Sequence, residues 1–75
     1  MDLNEFIKKF AEQFDDTDPS EITATTNYRE LSEWSSLIGM LVIALVKTEM
    51  GKTVTGDDLR SCTTVEALYN LIMSK

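Results

Sequence analysis

Apolar side chains recur at Leu3, Phe6, Ile7, Phe10, Ala11 and Phe14, and Asn4, Glu5, Lys8, Lys9, Glu12 and Gln13 fill the positions between them. This helical rhythm predicts an amphipathic helix with one buried stripe. Three Phe residues on that stripe promise a large share of a small core. The rhythm stops at Asp15. From there to Glu33 the chain is polar, and Pro19 disfavours helical geometry at Asp18. Ile22, Tyr28 and Leu31 are sparse apolar anchors that can pin this connection to a core, and a short helical turn fits around Tyr28 to Leu31. Loops of this length are uncommon in compact domains and are often functional.

A second helix is predicted to open at Ser35 or Ser36 and to run to about Met50, with serine as N-cap and Gly51 as C-cap. Its pattern is unusual. Leu37 to Val46 contains no charged or strongly polar residue. If Val42, Val46 and Met50 form the core stripe, then Leu37, Met40, Leu41 and Ala44 face elsewhere. They form an exposed interaction patch, or a small bundle wraps the helix almost completely. Gly39 inside this helix costs about 1 kcal/mol relative to Ala. It is tolerated drift or a point of close approach by a backbone or ligand.

Asp57 to Arg60 fits one helical turn between Gly51 and the last helix. Thr63 and Glu66 have the spacing of a capping box, and Val65, Leu68, Tyr69 and Ile72 share one face beyond it. Cys62, just before the cap, reads as a small buried hydrophobe. The pattern as a whole predicts an all-α fold. We expect a small four-helix bundle, with three main helices, a short one, and a long loop between the first two. We expect one domain over residues 1–75.

Composition narrows the chemistry. The chain has 75 residues, thirteen acids, seven bases, a formal charge of −6, no His and one Cys. Its size allows one small core. The acidity disfavours nucleic acid. The lack of His removes the usual general base and the commonest metal ligand. A lone Cys makes no internal disulfide, which suits a reducing compartment such as the cytoplasm. No basic, apolar leader opens the chain, and no apolar run approaches the roughly 20 residues that span a bilayer. A monomer without a membrane span is expected. A serine triad lacks its His, no Gly-rich phosphate loop is present, and the pairs Asp15/Asp16 and Asp57/Asp58 fit solvated turns. What remains is a serine at the mouth of an apolar helix, after a long loop.

That arrangement resembles the acyl carrier protein family over nearly the whole chain. Its centre is Glu33-Trp34-Ser35-Ser36-Leu37, which resembles the family's Asp-Ser-Leu attachment motif. The match runs without a gap from Tyr28 to Ile72. Ile43-Ala44-Leu45-Val46 with Glu49-Met50 is similar to the family's second helix, and Thr63-Thr64-Val65 to the start of its last helix. Ile22-Thr23, Tyr28 and Leu31 resemble its anchored loop. The resemblance implies that Ser36 is esterified by 4′-phosphopantetheine, taken from coenzyme A by a phosphopantetheinyl transferase. It implies a non-catalytic carrier that presents thioester-bound acyl groups to acyl-loading and acyl-processing enzymes of fatty acid, polyketide or related specialised biosynthesis. A peptidyl or aminoacyl carrier is the near alternative. An unmodified helical interaction domain is the alternative of another class. The competing reading of Ser36 itself is a plain N-cap.

The sequence departs from the family at the docking face. Ser35 stands where the family has Asp, and Leu41 replaces a usual acid. Trp34, Ser35, Leu37, Met40, Leu41 and Ala44 are therefore the expected partner-docking residues, on an apolar surface. The charge distribution agrees. Residues 1–33 hold nine acids and three bases, whereas residues 34–75 hold four of each. All the net charge lies ahead of the second helix.

Overall fold

A computed structural model describes residues 1–75. Four helices follow in order: α1 (Leu3–Ala11), α2 (Ser36–Met50), α3 (Gly56–Ser61) and α4 (Val65–Met73). Two 3-10 turns, Pro19–Glu21 and Tyr28–Glu30, lie in the long connection between α1 and α2. The fold is all-α, as the pattern predicts.

The α1 helix starts where the Asp2 carboxylate accepts the Glu5 N–H at 2.8 Å. Its regular part ends at Ala11, three residues before the apolar stripe does. Two tighter turns, Gln13 N–H to Phe10 O and Phe14 N–H to Ala11 O, carry Phe14 onto the core all the same. Phe6, Phe10 and Phe14 are buried, and all six aromatics of the chain join in one network of inclined ring pairs. Ring centroids are 5.9 Å apart for Phe6–Phe10, 5.6 Å for Phe10–Phe14, 5.7 Å for Phe10–Tyr28 and 4.9 Å for Tyr28–Trp34. Each such pair adds about 0.5–1.5 kcal/mol beyond the area it buries. This ladder runs from α1 to the residue two positions before Ser36.

The α2 helix buries Ile38, Val42 and Val46, and Gly51 closes it in the left-handed conformation at φ 65°. Met50 is only half-buried. Leu37, Met40 and Leu41 are 65%, 66% and 39% exposed, and Ala44 is exposed as well. The bundle does not wrap this helix; its apolar residues occupy the solvent side too. Lys9 reaches Glu49 at 3.7 Å, joining α1 to the far end of α2.

One detail differs from the sequence expectation. A capping box forms at α3, where the Thr55 N–H donates to the Asp58 carboxylate at 3.0 Å and the Asp58 N–H donates to the Thr55 hydroxyl at 3.1 Å, and not at α4. At α4 the cap is Thr64, not Thr63, and its hydroxyl accepts the Ala67 N–H at 3.0 Å. The reason is tertiary. Asn27 and Thr64 form an isolated antiparallel bridge, and the N–H groups of Val65 and Glu66 donate to Thr26 O and Ala24 O at 3.2 and 3.0 Å. The loop thus satisfies first-turn donors that Glu66 and Thr63 would otherwise have to manage locally. Cys62 is buried.

Candidate functional site

The mouth of α2 separates its two serines by role. Ser35 is extended, at φ −155° and ψ 174°, and its hydroxyl accepts the Ile38 N–H at 3.3 Å. It is the N-cap. Ser36 is the first helical residue, is exposed, and its hydroxyl has no hydrogen-bond partner in the chain. The plain-cap reading therefore applies to Ser35 and not to Ser36. The N–H groups of Ser36 and Leu37 also lack partners within the chain, as expected at a helix start.

Two residues hold this corner in place. Trp34 is half-buried, with its ring inclined at 60° to Tyr28 and its centroid 6.4 Å from that of Phe14. Glu33 reaches back across the loop. Its carboxylate accepts from the N–H groups of Asp15 and Asp16 at 2.7 and 2.9 Å, and from the Thr17 hydroxyl at 2.8 Å. Desolvation works to raise the Glu33 carboxyl, but the hydrogen bonds from Thr17, Asp15 and Asp16 outweigh it and hold it below its ordinary value of 4.5. A lowered carboxyl stabilises the fold above its unfolded value, and that contribution is lost as pH falls through the folded one. Glu33→Gln is therefore expected to melt lower than wild type at neutral pH, because an amide nitrogen cannot accept both backbone donors. The gap in melting temperature should close as pH falls below 4.5. Trp34 fluorescence can follow both melts. A gap that stays constant with pH would show that the Glu33 charge is not what matters.

Beside Ser36 lies a groove of about 440 Å3 between α2 and α3. Trp34, Gly39, Met40, Ile43 and Leu59 supply its apolar lining, and Arg29 and Arg60 supply its charge. No acid lines it. A β-carbon at Gly39 would meet Leu59 Cδ1 at 3.5 Å and Trp34 Cζ2 at 3.8 Å. These are ordinary contact distances, so a methyl group fits there, and no backbone approach requires glycine at this position.

Of the residues singled out from sequence, Trp34, Ser35, Ser36, Gly39 and Met40 border this groove. Leu37 is exposed at the helix start and Leu41 and Ala44 along it, none of them in the groove lining. Arg29, Gly56, Leu59 and Arg60 were missed. They come from the 3-10 turn and from α3, and no local pattern marks them.

An exposed hydroxyl, two guanidinium groups and an apolar trough fit a phosphodiester that bears a flexible organic arm. The helix start adds partial positive charge on the same side. The family model for the phosphopantetheine attachment site matches residues 2–72, and the chain belongs to this family of carrier proteins. Its domains are non-catalytic and carry a covalently attached 4′-phosphopantetheine. Neither the curated proteins nor the solved structures gave a match. No helix is long and apolar enough to cross a membrane. No group of three His, Cys, Asp or Glu is placed to hold a metal ion.

Proposed function

We propose that Ser36 carries the 4′-phosphopantetheine arm and that residues 1–75 act as one acyl carrier domain. The arm supplies a terminal thiol that holds cargo as a thioester. The observation that carries this reading is the contrast between the two serines. The Ser35 hydroxyl is committed to the Ile38 N–H, and the Ser36 hydroxyl is exposed and free. A phosphopantetheinyl transferase can thus reach Ser36 without dismantling the cap. The protein's own contributions are placement of that hydroxyl, an apolar trough beside it, and a surface for partner enzymes. Incubation with coenzyme A and a broad-specificity transferase, followed by mass spectrometry, tests the reading. One arm per chain is expected, on the peptide that contains Ser36.

The apolar groove lining favours acyl cargo, with fatty acid, polyketide or related specialised biosynthesis as the setting. A peptidyl or aminoacyl carrier would use the same serine, and loading assays with acyl and aminoacyl donors separate the two. The exposed side of α2 is the proposed docking face for the transferase and the acyl-handling enzymes. Leu37, Met40 and Leu41 stand out from a helix with no charge before Lys47. Contact there would rest on buried apolar area more than on electrostatic steering. Met40→Glu or Leu41→Glu should leave the melting temperature within a few degrees of wild type. An anchor lost at such a face costs more than about 1 kcal/mol, so partner turnover at low carrier concentration should fall roughly five-fold or more. Unchanged turnover would exclude this face.

A further inference from the structure

We propose that Arg29 and Arg60 together clamp the phosphodiester that would join the arm to Ser36. The proposal rests on the reading of Ser36 as the attachment residue. Ser36 and both arginines line one groove, and no carboxylate lines it with them. This is notable in a chain of charge −6. Arg29 is the one base between Lys9 and Lys47, and its guanidinium makes no ion pair although Glu30 is its neighbour in sequence. An unpaired cation facing a trough is placed for an anion, and the phosphodiester is the anion that attachment at Ser36 would bring there. Arg60 is paired with Asp57, but the two side chains are 71% and 89% exposed. Exposed pairs are weak and exchange readily. A phosphate offers the same planar fork a two-oxygen partner. Trp34, Ile43 and Leu59 then provide apolar contact for the methyl and methylene groups of the arm.

The test uses the full chain loaded by a transferase and is read by phosphorus NMR. In folded wild type, the phosphodiester resonance should stand apart from its position in the urea-unfolded protein. That displacement should shrink in Arg29→Gln and shrink further in the Arg29→Gln/Arg60→Gln double variant, which leaves only the contribution of the helix start. Added salt should shrink it as well, since exposed charge pairs are screened. Asp57→Asn releases Arg60 and should enlarge the displacement. Both arginines are exposed, so the variants should keep the fold, and far-ultraviolet circular dichroism checks that they do. A resonance that keeps its wild-type displacement in the double variant overturns the clamp alone. Failure of wild type to accept an arm overturns the attachment reading and the clamp together.

Discussion

Ser36→Ala will remain folded and will take up no arm, whereas Ser35→Ala will take up the arm but melt at a lower temperature. The two serines are adjacent and chemically identical, so the divergence comes from backbone placement alone. Ser36 occupies the first helical position and its hydroxyl makes no internal bond. Its removal breaks nothing, and Ala is the better helix former. Loss of the Ser35 hydroxyl leaves the Ile38 N–H without its acceptor. That costs about 1 kcal/mol, and a loss of that size lowers the melting temperature of a domain this small by roughly 4–8 °C. Intact mass reads the first result and a thermal melt reads the second. An arm found on Ser36→Ala would defeat the assignment of the attachment residue.

Tyr28→Phe will destabilise the protein by about 2 kcal/mol, out of a total stability expected to be roughly 4–11 kcal/mol for this length. Tyr28 is fully buried, and its hydroxyl donates to Leu59 O at 2.6 Å with Cys62 O a second acceptor at 3.1 Å. These carbonyls sit at the end of α3, the six-residue helix that supplies one wall of the groove. Without the hydroxyl, buried acceptors lose their donor and the short helix loses its strongest tie to the loop. A melting temperature lower by about 8–16 °C is expected. The same contact predicts a weakness at high pH. Burial first, and then the nearby Cys62, push the Tyr28 hydroxyl up to about 12. A raised value means that the contribution is complete below the ordinary 10.0 and is lost as pH rises toward about 12. Wild type should therefore lose stability across that interval more steeply than Tyr28→Phe does. Parallel pH profiles for the two proteins would refute the role given to the hydroxyl.

Much of this architecture was legible in the chain because it depends on local rules. The apolar rhythm of α1, the serine before α2, and Gly51 after it all act within one or two helical turns, and each leaves a mark at fixed spacing. Tyr28 and Ile22 were readable as anchors because large apolar residues in a polar loop have few other uses. The failures share one cause. Thr63 and Glu66 satisfied a local capping rule, but the carbonyls of Ala24 and Thr26 arrive from far away in sequence and move the cap to Thr64. The attachment motif pointed to Ser36 by alignment, whereas the free hydroxyl that supports it depends on backbone geometry at Ser35. Arg29 and Arg60 escaped notice because they are thirty-one residues apart and meet only across the groove.

The hydrogen bonds that reach out of the loop have a dynamic consequence. Glu33 fastens the end of the loop to its own beginning at Asp15–Thr17, Tyr28 fastens it to α3, and Thr26 with Ala24 fastens it to the start of α4. The amides of Val65 and Glu66 therefore belong to the loop as much as to their own helix. Local opening of the loop would fray α3 and the first turn of α4 at once, so these segments form one cooperative unit. The groove beside Ser36 accordingly has no hinge of its own. Its α3 wall is expected to exchange amide hydrogens together with the loop, not ahead of it.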